Sequence, residues 1–255
     1  MLSMENLNKA CCDFMANSAL NTLPDFGQTR IFQSPLIGVA SAKDPLFLKL
    51  KEAVAPHHIS PEEWLPSAQS IISFFLPFTE AITASNREMG DTSLLWLMGR
   101  YEGGDFFMPA FSTMVEEMLK VNQYRALTPA YHERFKIIDK KSNWSERHVA
   151  FIAGLGTFGR HGALISRSGS SGRVASVITD RQLEPTRRDY TGIFDYCIDC
   201  YQCIPRCDFN AITKENGKNH DICSQKVDGI TRVKYAPRYG CGKCNTNVPC
   251  EMERP

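Results

Sequence analysis

Along residues 1 to 190 the apolar positions switch between two periods. PLIGVA (35–40) and SIISFFLPF (70–78) are unbroken apolar runs of strand length, rich in β-branched and aromatic side chains, which predicts two buried strands. Between them, SPEEW (60–64) places Ser60 before a proline, with Glu63 three residues after the serine. That is the signature of a helix start. Phe111, Val115, Met118 and Leu119 recur at helical spacing and predict one buried face of a helix near 106–124. FKII (135–138) predicts a short strand, and Asn143 with Glu146 predicts a capped helix through WSERHVAFIA. ALIS and RVASVIT predict two more strands. Helices and strands interleave, so the expected class is a layered α/β (α+β) domain. From about residue 191 the apolar runs stop and cysteines take over, which divides the chain into 1–190 and 191–255.

Composition narrows this picture little. The 255 residues are 43% hydrophobic and 22% charged, ordinary values for a globular chain. The net charge of +1 offers no bulk attraction to a polyanion, so a nucleic-acid partner is not expected. SIISFFLPF is too short to span a membrane and is interrupted by Ser73 and Pro77. The first twenty residues, MLSMENLNKACCDFMANSAL, lack a basic region followed by an apolar run. The expectation is a cytoplasmic protein with reduced thiols, in which cysteines are metal ligands rather than disulfide partners.

Ten cysteines are present, and eight lie after residue 196. CIDCYQCIPRC contains Cys197, Cys200, Cys203 and Cys207, a C-x2-C-x2-C-x3-C run. Such a loop wraps three corners of one cubane, while the fourth cysteine turns toward a second cluster. The simplest assignment completes cluster one (Cys197, Cys200, Cys203) with Cys250. Cluster two then takes Cys207, Cys223, Cys241 and Cys244. Two structural zinc sites would also use four thiolates each, but they favour separated C-x2-C pairs over three cysteines in consecutive steps. Cys11 and Cys12 read as apolar fillers. Two 4Fe–4S clusters make an electron wire, and a simple carrier would not need the 190 residues that precede it.

AGLGTFGRHGALIS (153–166) holds Gly154, Gly156 and Gly159 in G-x-G-x-x-G spacing. A dinucleotide site would need a strand before the loop and a helix after it, and here the predicted order is the reverse. The loop reads instead as backbone exposed for close approach of a planar cofactor.

ERHVAFIAGLGTFGRHGALIS, SSGRVASVITD, the C-x2-C-x2-C-x3-C run, the lone Cys223 and the late C-x2-C together resemble the epoxyqueuosine reductases. These are cobalamin-dependent iron–sulfur enzymes akin to reductive dehalogenases. PLIGVASAKDPLF and SAQSIISFFLPF also resemble early strands of that family. The resemblance implies a nitroreductase-like cofactor domain followed by a small ferredoxin-like two-cluster domain; the expected form is a short one, departing from the family in lacking its C-terminal helical-repeat domain. It implies electrons passing through the clusters to a base-off cobalamin that reduces a small electrophile. A ferredoxin or flavodoxin would be the donor. It places Gly154, Leu155, Gly156 and the segment Gly172, Arg173, Val174, Ala175 and Ser176 along the corrin. Asp139 falls, with one residue of offset, where the family has a proton-donating aspartate; the alternative is a solvated loop carboxylate. The sequence departs from the family pattern at Asp208, which replaces a proline, and in the five residues between Cys244 and Cys250. With net charge near zero, tRNA is not the expected substrate.

Two other readings stay open: FMN on the same fold, and a corrinoid-handling protein that acts on another protein's corrinoid. His132, His148 and His161 read as surface or satisfied core histidines. Lys226, Arg232, Lys234 and Arg238 are either a solvated face, a dock for an acidic donor protein, or a phosphate site.

Overall fold

The computed structural model describes residues 3–255. Its centre is an antiparallel four-stranded sheet in the order Leu36–Ser41, Ser70–Pro77, Gly172–Thr179, Ala126–Leu127. Side chains alternate across a strand, and both faces of this sheet are covered. Ile71 and Phe75 enter one core with Trp64, Trp144 and Val149. Ile72, Phe74 and Leu76 enter the other with Phe107, Phe111 and Val115. Every residue of Ser70–Pro77 is therefore buried, which explains why the run is unbroken rather than alternating.

One row of this sheet is built from small residues. Gly38 stands opposite Ser73, and Ser73 opposite Ser176. A Cβ on Gly38 would overlap the Ala153 carbonyl and Leu155, so the row lets the end of helix Glu146–Ile152 lie close on the sheet.

The helix start at Ser60 is a complete capping box with Glu63. The helix predicted near 106–124 is one part of a longer rod. Leu94–Tyr101 leads into a π-helical turn, Glu102–Phe107, and then into Met108–Val121. Gly103 in that turn fits against Phe32, and Gly104 against the Arg173 guanidinium.

Asn143 does not cap the helix that follows it. Buried in the bend after a two-residue hairpin, it accepts a hydrogen bond from the Lys136 N–H (3.0 Å) and donates to the Arg134 carbonyl (2.8 Å). Ser145 holds the cap position, and its hydroxyl is bonded to His148 Nδ1 (2.7 Å) rather than to the backbone.

The cysteine-rich segment shares the core of the larger part. Tyr190, Tyr196, Val248 and Cys250 join the cluster around Trp144. Arg87 donates to both oxygens of the Glu251 carboxylate, from Nε to Oε1 (3.1 Å) and from Nη2 to Oε2 (2.8 Å). The buried Arg206 donates to the carbonyls of Lys243 and Asn86. Among the described residues no helix is long and apolar enough to cross a membrane.

Candidate functional site

The fold gathers the eight late cysteines into two neighbouring groups. Cys207, Cys223, Cys241 and Cys244 line one hollow of about 130 Å3. Cys197, Cys200, Cys203 and Cys250 are close enough to perturb one another. Burial pushes the Cys203 thiol up to about 12, with Cys244, Cys250, Cys197 and Cys200 adding to the shift. Burial likewise pushes Cys250 up to about 11, with Cys197 and Cys200 beside it. Cys244 is raised by burial and by Cys241, Cys223 and Cys207, against the opposing charge of Lys218. Cys203 and Cys244 are the point where the two groups meet. Left-handed backbone at Asp199 and Tyr201 turns the chain between the first three cysteines. Among the described residues no three His, Cys, Asp or Glu side chains converge as they would on a single metal ion. Cys11 is buried and its thiol is pushed up to about 12, while Cys12 is half-buried.

His161 is a member of this site that its sequence position did not reveal. Its Nδ1 accepts the Ala163 N–H (3.1 Å), which leaves the proton on Nε2, 3.2 Å from Cys250 Sγ. Burial, with Lys218 and Arg147 nearby, pushes the imidazole down to about 3. The neutral ring therefore donates to that sulfur. Its signal in the sequence is the turn RHGA, where a Cβ on Gly159 would strike the His161 ring.

A larger cavity of about 570 Å3 lies beside the hollow. Gly172, Arg173 and Val174 form one wall, Gly104 and Asp105 of the π turn another, and Phe75, Trp96 and Trp144 its apolar floor. Arg100, Lys218, Gly242 and Asn245 belong both to this cavity and to the cysteine hollow. The partition is thus one side chain thick and cationic. Burial, reinforced by the like charge of Arg173, pushes Arg100 down to about 10, and its Nε has no partner among the described residues. Burial also lowers Arg147, while the Cys223 and Cys244 thiols favour its charge. Lys218 is raised chiefly by Cys244. A second hollow of about 590 Å3 adjoins the cavity through Arg147, Lys218 and His220, and runs beneath Phe158, Gly159 and Arg160.

Inside the cavity sits Glu146, which the sequence offered only as a helix cap. Ser176 Oγ donates to its Oε2 (2.6 Å), and Trp144 Nε1 donates to that same Oγ (2.9 Å). Oε1 is out of solvent and has no protein partner among the described residues. Burial, only partly offset by Ser176, pushes the carboxyl up to about 8.

Other expected positions fall differently. Asp139 is exposed at the tip of the hairpin Ile137–Ser142, in left-handed backbone, while Ile137, Lys140 and Ser142 of that hairpin reach the cavity. Gly154 and Gly156 do not open backbone to this cavity. A Cβ on Gly154 would meet Thr186 and one on Gly156 the Ile165 carbonyl, so both glycines serve close packing within the protein. Leu155 is buried in the core behind them, and Ala175 faces the opposite core. The loop follows a helix and opens the hairpin Gly156–Phe158 with Leu164–Ser166, unlike a dinucleotide fingerprint. Each cation of the expected basic patch has an acidic partner: Lys226 with Asp208, Arg232 with Asp228, Lys234 with Asp91, Arg238 with Glu102. His132 Nδ1 accepts the Arg134 N–H. Burial pushes His148 down to about 4, which keeps it neutral.

Solved structures share this architecture across almost the entire chain. An epoxyqueuosine reductase from Bacillus subtilis, solved with its catalytic aspartate loop swung out of the active site, superposes with a TM-score of 0.58. The match covers 99% of this chain and 67% of that one at 19% identity. The chain has the epoxyqueuosine reductase fold. A reductive dehalogenase described as B12-dependent superposes with a TM-score of 0.54, covering 82% of this chain and 28% of that one at 17% identity. In sequence, the chain is 38% identical over 98 residues to a tetrachloroethene reductive dehalogenase of Desulfitobacterium hafniense. That stretch is 37% of this chain and 18% of the relative, so the chain matches under a fifth of the length of that dehalogenase. No protein-family model matches.

Proposed function

We propose that this chain is an iron–sulfur reductase in which two 4Fe–4S clusters deliver electrons to a base-off cobalamin, for reduction of a small electrophilic substrate. The observation that carries this reading is the shared partition. A hollow ringed by four cysteines and a ligand-sized cavity have Arg100, Lys218, Gly242 and Asn245 in common. Electrons leaving a cluster there cross one layer of side chains to reach a ligand. Cys207, Cys223, Cys241 and Cys244 would hold that inner cluster. Cys197, Cys200, Cys203 and Cys250 would hold the outer one, with Cys203 beside Cys244 as the crossing point. Cys200 is exposed, which suits the outer group to meeting a ferredoxin or flavodoxin donor. The cations of the partition would compensate the clusters' negative charge, one of the levers that sets a cluster potential.

The room available supports a corrinoid over FMN. Two adjoining hollows of about 570 and about 590 Å3 exceed the space that ordinary small-molecule sites provide. The bound corrinoid would supply the reducing power for the difficult bond cleavage. Gly172, Arg173 and Val174 would lie along it, with Gly154, Leu155, Gly156, Ala175 and Ser176 shaping that wall from behind. The hairpin carrying Asp139 forms part of the rim, so Asp139 would serve as proton donor only to a substrate held at that edge. The net charge of +1 favours a small molecule over tRNA.

The test is anaerobic reconstitution with iron and sulfide, followed by titration with cobalamin. About eight irons per chain and a base-off cobalt spectrum support the reading. Eight irons with no corrinoid uptake overturn it, in favour of FMN or of a corrinoid held by another protein.

A further inference from the structure

We propose that Glu146 is the resident acid of the large cavity: it keeps a proton and donates it to the carbon of the bound electrophile as the leaving group departs. This inference rests on the reductase reading above.

Ser176 Oγ lies 2.6 Å from Oε2 and takes the Trp144 Nε1–H on one of its two lone pairs, so the hydroxyl can bond to the carboxyl in either protonation state. Oε1 is buried and has no protein partner among the described residues, although a buried polar atom ordinarily finds one. The residue lines the cavity, so a ligand group is the partner left open to it.

The surroundings keep the group neutral instead of pairing it. The ionisable residues that share the cavity are Arg147 on its own helix, Arg100 on the helix before the π turn, Arg173 on the sheet, Asp105 on the π turn, Tyr131 and Lys140 at the rim, and Lys218 and His220 from the cysteine-rich segment. None of them hydrogen-bonds to Glu146 among the described residues. Burial is the dominant influence and holds the carboxyl near 8, which leaves it mostly protonated at neutral pH.

The step balances as follows. For a substrate R–X, two electrons arrive singly from a low-potential ferredoxin or flavodoxin by way of the clusters. The C–X bond breaks with X leaving as X⁻, and a C–H bond forms with the Glu146 carboxyl proton. The products are R–H, X⁻ and a Glu146 carboxylate. The carboxylate accepts from Ser176 until solvent at the rim, where Tyr131 and Ile137 are exposed, returns a proton.

The experiment uses the full chain, reconstituted with iron, sulfide and cobalamin. An infrared difference spectrum between about pH 6 and about pH 10 reads the carboxyl directly, without turnover. The expected result is a protonated-carboxyl band that titrates in the wild type and is missing in Glu146→Gln, with iron and corrinoid content unchanged. In turnover of a halogenated or epoxide probe, the wild type should lose rate on the alkaline side. Glu146→Gln should be slower by about 100-fold or more and lack that limb. Ser176→Ala, which removes the bond favouring the carboxylate, should move the limb to higher pH. Absence of the band in the wild type overturns the proposal. So does an alkaline limb retained in Glu146→Gln, or one lost in Asp139→Asn instead. Failure of the wild type to take up corrinoid defeats the reductase reading separately, and the infrared band still judges the acid.

Discussion

A carboxyl kept neutral inside the fold makes stability depend on pH in a predictable direction. The Glu146 carboxyl is raised from an ordinary 4.5 to about 8 in the folded chain. Between those values the folded state holds a proton that the unfolded chain has released. The unfolded state thus binds fewer protons, and unfolding free energy falls as pH rises. The contribution is complete below 4.5 and is lost as pH climbs through about 8. Each pH unit inside the window corresponds to about 1.4 kcal/mol, so the span from about pH 5.5 to about pH 7.5 corresponds to about 2.7 kcal/mol. For a chain of this size that is a fall in Tm of about 5–11 °C attributable to one residue. Water entering at the rim lowers the figure, and half of it is still readily measured. In Glu146→Gln the amide oxygen keeps the Ser176 bond but nothing ionises. The assay is thermal unfolding of the anaerobically reconstituted wild type and Glu146→Gln across this range. The Tm difference in favour of Glu146→Gln should be small at the acid end and widen steadily toward neutral pH. A difference that stays flat across the range would mean that Glu146 is ionised in the fold throughout, and the argument fails.

Cys223→Ser should lower iron from about eight to about four per chain, while Cys12→Ser should leave it unchanged; colorimetric iron analysis decides. His161→Phe removes the Nε2–H donated to Cys250 Sγ, a bond that stabilises the more negative, reduced cluster. The outer cluster's midpoint potential should fall by tens of millivolts in a spectroelectrochemical titration, with iron content intact. Gly242→Ala puts a Cβ into the Trp96 indole at a residue with φ of 72°, between Cys241 and Cys244. Strain and overpacking of about 2–4 kcal/mol should lower Tm by several degrees, and iron occupancy of the inner site should drop.

Where local rules dominate, the chain was readable. The run at 70–78 forms a central strand because both faces of the sheet are covered, and Ser60 with Glu63 caps its helix as the spacing requires. What escaped was decided by distant partners. Asn143 is taken from its cap by Lys136 and Arg134 across a hairpin. Gly154 and Gly156 have the spacing of a ligand loop, yet Thr186 and Ile165 occupy the space above them. Glu146 shows no local mark of its role, because its proton affinity is set by burial in the folded chain, offset only in part by Ser176 on a strand thirty residues away. Lys234 and Arg238 looked free because their partners Asp91 and Glu102 stand 143 and 136 residues earlier in the chain.

The small-residue row of Gly38, Ser73 and Ser176 works as a spacer of fixed height. It sets how low helix Glu146–Ile152 rides on the sheet, and hence how far the acid at its start is withdrawn from water. Gly38 lies two strands from Ser176, and a Cβ there would run into Ala153 and Leu155 just past the other end of that helix. A single methyl at Gly38 therefore pushes the helix off the sheet at its far end, and the expected consequence is a less deeply buried carboxyl. The proton affinity of Glu146 is therefore adjustable from a position with no contact to ligand, so selection could retune it while leaving every cavity-lining side chain unchanged.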